Sequence, residues 1–271
     1  LNHLREVFND FLLKGGFPET TILPDLNLAQ RLLREDVVDK VLKRDMAAFY
    51  GIRTLPELEK LFVYVCMHPG LIIDQGTVAR ELRISPPQVV KLLNALLAAY
   101  LIRELPGYQQ SGKKALKGKS KWYIVDASMR NAVLLKDKSL LLSDPTDTGM
   151  IVEAATINEL ASYKYEKFPR LGYWRSKNKK KEVDILVDAP STKTVAVEVK
   201  YRENISDRDA QGLLEFAMIQ EESVHIVVTK ENKDFGSKKM NLKNGREMYI
   251  SYVPAYIFLY LLGKYQYEKN T

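Results

Sequence analysis

The segment from Glu182 to Lys200, EVDILVDAPSTKTVAVEVK, most strongly constrains the fold of this chain. Aliphatic residues, most of them β-branched, occupy every second position in both of its halves, which is the pattern of a β-strand. The sequence PSTK, residues 190–193, lies between the halves and has the composition of a turn. The segment therefore predicts two strands joined by a tight turn.

This hairpin is expected to bring three charged side chains together. Glu198 and Lys200 are two positions apart, so they lie on the same face of a strand, and the turn can bring Asp184 beside them. Two carboxylates on one face can hold a hard divalent cation through oxygen ligands. A neighbouring lysine can orient or activate a water, or neutralise the charge of a phosphorane. These three side chains are the minimum that metal-dependent phosphodiester hydrolysis requires. The alternative interpretation is an exposed hairpin face that carries ordinary surface charges.

Composition sets the broad class of the protein. The 271 residues are enough for two or three small domains, and 46% hydrophobic with 28% charged residues is an ordinary globular balance. A formal net charge of +7 favours an anionic partner. One cysteine, Cys66, excludes an internal disulfide framework and, with three scattered histidines, a typical structural zinc site. We expect a cytoplasmic protein with no membrane span and no signal peptide.

The N-terminal region, residues 1–50, is predicted to be helical. Apolar residues recur at helical spacing in two stretches, and the sequence GGFP at residues 15–18 separates them. The charged residues of the second stretch are interpreted as a solvated helix face. The chain begins at Leu1 directly in a helical pattern, so we expect it to be part of something longer.

Residues 51–126 predict a winged helix-turn-helix. A short helix over residues 77–82 is followed by a tight turn, a second helix that Ser85 caps, and a strand over residues 100–105. This order is typical of DNA-binding modules, although the helix pair could equally serve for packing or protein contact. The residues expected on the exposed face of the second helix, suited to base edges or phosphates, are Gln88, Lys91 and Asn94.

Two basic stretches without acidic residues, residues 107–121 and 170–181, are candidate phosphate-contacting loops, or else ordinary solvated loops. The second also contains Tyr173 and Trp174, a composition suited to a polyanionic backbone. The first matches the phosphate-loop pattern GxxxxGK, but Lys114 replaces the magnesium-binding Ser or Thr, so we reject a nucleotide site there. The lysines expected to contact DNA are Lys113, Lys114, Lys117, Lys177, Lys179, Lys180 and Lys181.

The remaining residues, 127–271, are expected to form an α/β sandwich with a mixed central sheet. From Gly149 onward the patterns predict the order helix, three strands, helix, two strands, helix. Glu153 lies off the apolar stripe of the first of these helices. It is either a surface carboxylate or a third acidic group that faces the hairpin. The overall expectation is an α+β chain with three parts, residues 1–50, 51–126 and 127–271.

The order of these elements, with Glu153, Asp184, Glu198-x-Lys200 and Gln211, resembles the PD-(D/E)xK nuclease superfamily. The resemblance implies a restriction-endonuclease-like fold that binds Mg²⁺ or Mn²⁺. It assigns Asp184, Glu198 and Glu153 to the metal, Lys200 to the nucleophile and Gln211 to a supporting role.

A longer series of short motifs resembles the C-terminal region of a prokaryotic AAA-type ATPase family whose tail is a domain of unknown function. The motifs occur in that family's order and include GGFPE at residues 15–19, VLKRDM at 41–46, KWYIVD at 121–126 and GMIVE at 149–153. The resemblance implies that an ATPase domain precedes this region in the full-length protein. We therefore expect ATP only through that domain and no ATPase activity from this chain.

Three functions follow from these observations. The first is a Mg²⁺- or Mn²⁺-dependent DNA endonuclease-like region that docks through a winged helix. The second is a non-catalytic module that binds DNA or protein and is coupled to the ATPase. The third is a transcription regulator that uses only the winged helix. The expected partners are DNA and the protein's own ATPase domain, no membrane is expected, and the oligomeric state stays open.

Overall fold

The fold is described from a computed structural model, which describes residues 2–50, 54–108, 119–163, 169–178 and 180–270. The chain separates into two compact units. The first comprises Leu1–Leu105 and Lys119–Ala155, and the second comprises Pro106–Gly118 and Thr156–Thr271. Both contain helices and strands, which confirms the predicted α+β class. In the described part of the chain, no helix combines the length and the apolar character that a membrane crossing requires.

The first unit begins with the predicted helical region. The buried apolar residues of this region include Leu12, Leu33, Leu42 and Met46. The charged residues between them stay at the surface, as expected for helices with one side facing the core. The elements are α1 (Asn2–Lys14), α2 (Pro18–Thr21), α3 (Leu26–Leu32), a π-helical segment (Leu33–Asp45) and α4 (Met46–Tyr50). Helix α5 (Leu55–Met67) follows, with Pro56 in its first turn, where proline is tolerated.

The next part of the first unit consists of two helices and a small sheet. Asp74 caps α6, Arg83 closes it in the left-handed region at φ 57°, and the Ser85 hydroxyl accepts a hydrogen bond from the Gln88 amide at 3.4 Å to start α7. The elements are β1 (Leu71–Ile72), α6 (Gln75–Leu82), α7 (Pro86–Ala98), β2 (Ile102–Leu105) and β3 (Lys121–Ile124). The strands form an antiparallel sheet in the order β1-β3-β2. The predicted helix, turn, helix and strand are confirmed.

Helix α8 (Ala127–Val133) is buried on all sides, because it packs against α1, α3 and α5 of the first unit. The predicted domain boundary at residue 127 therefore differs from the division between the two units. Helix α9 (Lys138–Ser143) follows, and α10 (Pro145–Ser162) begins four residues before the predicted start at Gly149. The Asp144 carboxylate accepts hydrogen bonds from the amides of Thr146 and Asp147, which explains the earlier start.

The second unit is built on a six-stranded mixed sheet in the order β4-β5-β6-β7-β9-β8, which confirms the predicted mixed sheet. Strands β4, β5 and β6 pair antiparallel, β6, β7 and β9 pair parallel, and β8 closes one edge antiparallel to β9. The elements are β4 (Arg170–Arg175), β5 (Glu182–Asp188), β6 (Thr194–Lys200), α11 (Gln211–Ala217), β7 (Ser223–Thr229), β8 (Gly236–Asn241), β9 (Glu247–Pro254) and α12 (Ala255–Asn270).

Helix α11 packs on the sheet at very short range. Leu213 and Phe216 of α11 are fully buried against Val183 and Leu186 of β5. At Gly212, a Cβ atom would lie 1.8 Å from the backbone carbonyl oxygen of Glu182. Only glycine allows this approach of helix to strand, and the approach fixes Gln211 beside the start of β5.

We expect Gly212→Ala to lower the free energy of unfolding of the second unit by about 2–3 kcal/mol, because backbone has to move to admit the methyl group. The free energy of unfolding is measured by urea titration in a Trp122→Phe background, with Trp174 fluorescence as the signal. The matched control is Gly263→Ala in α12, where, among the residues that the structure describes, no atom beyond the neighbouring residues and the helix's own backbone lies within 4 Å of the added Cβ. That change should be neutral or stabilise by up to about 1 kcal/mol. Equal unfolding curves for the two variants would contradict the packing described here.

Candidate functional site

The strand register of the hairpin positions the candidate metal ligands. Strand β5 pairs with β6 at Ile185–Val197, Leu186–Ala196 and Val187–Val195. Continuing this register by one residue places Asp184 opposite Glu198. At that point the Asp184 Oδ2 atom accepts a hydrogen bond from the backbone amide of Val199 at 2.9 Å. The Asp184 carboxylate is therefore held directly against the part of β6 that carries Glu198 and Lys200.

Glu198 and Lys200 form an ion pair beside it. The Lys200 Nζ atom lies 2.5 Å from Glu198 Oε1. Both carboxylate residues are buried, with 8% exposure for Asp184 and 6% for Glu198, whereas a quarter of the Lys200 side chain is exposed. Burying a carboxylate costs free energy unless it gains a charged or hydrogen-bonding partner, and Lys200 supplies one. The predicted proximity of these three groups is thus present in the structure.

Asp184 and Glu198 fit Mg²⁺ or Mn²⁺ better than a metal ion whose ligands must all come from the protein. Among the residues that the structure describes, no group of three or more His, Cys, Asp or Glu side chains could hold a metal ion. Mg²⁺ keeps several of its waters, and proteins bind it through one or two carboxylates together with substrate phosphates. Asp184 and Glu198 supply two such carboxylates on adjacent strands.

Glu153, the third proposed ligand, contacts two residues of the first unit. The Tyr123 hydroxyl donates a hydrogen bond to Glu153 Oε1 at 2.6 Å, and Lys121 Nζ lies 3.7 Å from the same oxygen. Lys121 and Tyr123 are both buried in β3. Lys121 is therefore a buried partner of Glu153 and does not belong to the solvated basic loop in which the sequence placed it.

Gln211, the proposed support of the nucleophile, is paired with Lys181. The Lys181 ammonium donates a hydrogen bond to the Gln211 side-chain oxygen. Both residues line a cavity of about 680 Å³ next to the first turn of α11. The structure therefore joins a residue assigned to catalysis with one assigned to DNA contact. The sequence carried no signal for this pairing, because the two residues are 30 positions apart.

Helix α7 presents the residues that the sequence assigned to DNA contact. Lys91 and Asn94 are exposed and Gln88 is half-buried, while Val89 and Leu92 face the core. The spacing of three residues places the polar side chains along one helix face. This face is accessible within the first unit, as an interface with an extended partner requires.

The second basic stretch divides into core and surface residues. Lys177 and Lys180 are exposed, whereas Tyr173 is buried and Trp174 stacks edge-on against Phe216 with ring centroids 5.8 Å apart. The two aromatic side chains therefore pack within the second unit, and the prediction that this stretch suits a polyanionic backbone rests on its exposed lysines. Four of the predicted DNA-contacting lysines, Lys113, Lys114, Lys117 and Lys179, lie outside the described residues.

Two titratable groups on the neighbouring strands, His225 and Tyr252, are uncharged near neutral pH. Burial, and then the nearby Arg246 guanidinium, lowers the pKa of His225 on β7 to about 4. Burial, with Asp207 and Asp209 adding to it, raises the pKa of Tyr252 on β9. His225 is therefore neutral and Tyr252 protonated at pH 7, so Glu198 of the adjacent β6 faces no imidazolium cation from β7.

Known protein families account for most of the chain. A domain of unknown function, DUF8612, matches residues 5–140, which is just over half of the chain. The chain belongs to the DUF8612 family. A second domain of unknown function, DUF4143, matches residues 148–247 and so covers β4 to β8, the candidate metal site included. The DUF8612 match covers the helical region, α6, α7 and the small sheet.

Two curated relatives are themselves uncharacterised. A protein of Methanocaldococcus jannaschii is 25% identical over 214 residues, which are 77% of this chain and 45% of that protein. A protein of Haemophilus influenzae is 23% identical over 136 residues, 48% of this chain and 34% of that protein. The chain thus spans less than half the length of either relative. No solved structure matches it.

Proposed function

We propose that this chain binds DNA and cleaves its phosphodiester backbone with Mg²⁺ or Mn²⁺. One observation carries the proposal. Two buried carboxylates, Asp184 and Glu198, lie on adjacent strands, and the ammonium of Lys200 is 2.5 Å from one of them. Buried carboxylates that are arranged beside a lysine occur where a site needs both a cation and a proton-donating group.

Each side chain has a distinct role in this proposal. The cation, when bound, polarises the scissile phosphate and lowers the pKa of a water. The Val199 amide holds the Asp184 carboxylate against the strand that carries Glu198, and these two carboxylates together would hold the cation. Lys200 moves its hydrogen bond from Glu198 to the attacking water or to a phosphate oxygen, where charge develops. Gln211 is proposed to order the edge of the site.

The element order of each unit supports a nuclease-like sandwich with a winged helix. Along the chain, α10 is followed by β4, β5, β6, α11 and β7, with an antiparallel meander and a parallel crossover. In the first unit, α6 and α7 lie between β1 and β2 along the chain, and the strands form a sheet in the order β1-β3-β2. We propose that α7 docks on DNA through Gln88, Lys91 and Asn94, with Lys177, Lys180 and the other basic residues on phosphates.

A link to ATP hydrolysis lies outside this chain. The motifs of this chain resemble a family in which an AAA-type ATPase domain precedes the matching region. The relatives are more than twice as long as the segments of them that match. We propose that in the full-length protein an ATPase domain uses ATP to control when this DNA-binding and cleaving region acts, in the cytoplasm. A DNA- or protein-binding module without cleavage is the alternative, and the cleavage assay below separates the two.

Metal binding tests the site before cleavage does. We expect Mn²⁺ to bind the purified chain with a measurable heat in titration calorimetry. Asp184→Asn keeps a hydrogen-bond acceptor for the Val199 amide but removes the charge, so the affinity should fall by at least about tenfold. The control is Asp188→Asn at the end of the same strand, which pairs with Arg170 at the surface. No heat with the wild type, or equal losses in both variants, would contradict the proposed site.

A further inference from the structure

The cavity beside α11 has the chemistry of a nucleotide site. It measures about 680 Å³, and its apolar lining comes from Leu214 of α11, from Met218 directly after that helix and from Leu242 after β8. A volume of this size accommodates a compound as large as a nucleotide. Leu242 is buried and Leu214 half-buried, so they form a fixed apolar surface on which the flat face of a base can lie.

Amide side chains surround that apolar surface. Asn178, Gln211 and Asn241 line the cavity from three different segments, those before β5, at the start of α11 and at the end of β8. Side-chain amides carry a donor and an acceptor together, and this is the pattern with which proteins recognise base edges. A base presents those edges to a cavity only when it is out of the duplex stack.

Two lysines make the cavity suitable for a phosphate. Lys181 and Lys243 both line it, and Lys181 already donates a hydrogen bond to the Gln211 amide oxygen. Glu215 also lines the cavity, and its carboxylate is suited to the exocyclic amino group of a base. The cavity thus offers a partner for each part of a nucleotide. The lysines suit its phosphate, the amides and the carboxylate suit its base edge, and the apolar surface suits its base face.

The cavity also lies close to the candidate metal site along the chain. Lys181 immediately precedes β5, three positions before Asp184. At about 3.3 Å per residue in an extended strand, this separation is roughly 10 Å. Neighbouring phosphates of one DNA strand are spaced by about 3.4 Å along a duplex axis. One stretch of backbone can therefore reach both places.

We propose that this cavity binds one unpaired nucleotide of the DNA substrate, its base and adjoining phosphate, and so directs the enzyme to DNA with unpaired bases. The proposal rests on the proposed DNA-cleaving function, because it names the substrate class of that site. A free nucleotide shares the chemistry of the unpaired one, and the test below separates these two sources.

The test measures fluorescence anisotropy of labelled DNA with the whole chain in EDTA, so that no cleavage takes place. A fully paired duplex is compared with the same duplex carrying a single-stranded tail. We expect the wild type to prefer the tailed DNA by about tenfold, the effect of one well-held base. Asn241→Leu and Lys243→Gln should each reduce this preference to below about threefold. The control Lys239→Gln, which removes an exposed charge from β8 that pairs with Glu247, should retain it.

The results of this experiment distinguish an unpaired nucleotide of DNA from a free nucleotide as the ligand of the cavity. Loss of the preference in the two cavity variants, with thermal melting curves like that of the wild type, supports the proposal. No preference in the wild type, or an unchanged preference in both variants, overturns it. Binding of deoxyadenosine monophosphate that Asn241→Leu abolishes, without any preference for tailed DNA, overturns it in favour of a free nucleotide. Because no metal is present, a failure of cleavage would leave each of these results standing.

Discussion

Replacing Arg130 by methionine is expected to lower the free energy of unfolding of the first unit by about 3–5 kcal/mol. Arg130 is 3% exposed and Asp147 is 5% exposed. The Arg130 guanidinium pairs with both oxygens of the Asp147 carboxylate, and its Nε atom donates a hydrogen bond to the Cys66 carbonyl oxygen at 2.7 Å. Methionine fills similar space but leaves a buried carboxylate and a buried carbonyl without their main donor.

The expected loss of stability is large because the Arg130–Asp147 pair is buried. Lys136 Nζ remains 3.6 Å from Asp147 Oδ2 and compensates part of the charge. Two changes together, Arg130→Met and Asp147→Leu, remove both charges and should recover much of the lost stability, because replacing a whole buried pair by apolar residues is often neutral. The exposed pair of Lys43 and Asp39 serves as the control, and Lys43→Met should change stability by less than about 1 kcal/mol.

The measurement uses the two tryptophans of the chain, Trp122 in the first unit and Trp174 in the second. In a Trp174→Phe background, fluorescence from Trp122 during urea unfolding reports on the first unit alone. A loss of less than about 1 kcal/mol for Arg130→Met, or a double variant as unstable as the single one, would show that the pair does not hold α8 and α10 in place.

The fold could be predicted where the sequence has a strong local period. The alternating aliphatic residues of β5 and β6 predicted both strands and the turn between them. Strand β8 was missed, because its sequence GSKKMN has no alternation and lies almost wholly exposed at a sheet edge. Its pairing is determined by contacts with β9, and a local pattern carries no signal for them.

The candidate site could be predicted in part for the same reason. Residue spacing along one hairpin was enough to place Asp184, Glu198 and Lys200 together. The partners of Glu153 and Gln211 come from distant segments, Tyr123 and Lys181, whose positions depend on how whole elements pack. Long-range packing of this kind is not encoded in periodicity, so the amide-lined cavity also had no signature in the sequence.

Lys200→Ala is expected to lower the rate of DNA cleavage by at least about 10²–10³-fold, the typical cost of losing one donor to developing charge. The Lys200 ammonium is the cation placed beside Glu198, and alanine leaves that carboxylate buried without this partner. The matched control is Lys193→Ala, since Lys193 lies in the turn of the same hairpin and its side chain is 64% exposed. We expect Lys193→Ala to cleave at the wild-type rate.

The most direct measurement is incubation of the purified chain with supercoiled plasmid DNA and Mn²⁺, with conversion to nicked and linear forms followed on a gel. Wild type and the variants Lys200→Ala and Lys193→Ala are purified in the same way, and EDTA is added to a parallel reaction. The account predicts nicking by the wild type and Lys193→Ala, and none by Lys200→Ala or in EDTA. Equal nicking by Lys200→Ala, or no nicking by the wild type, would contradict a phosphodiesterase site at Asp184, Glu198 and Lys200.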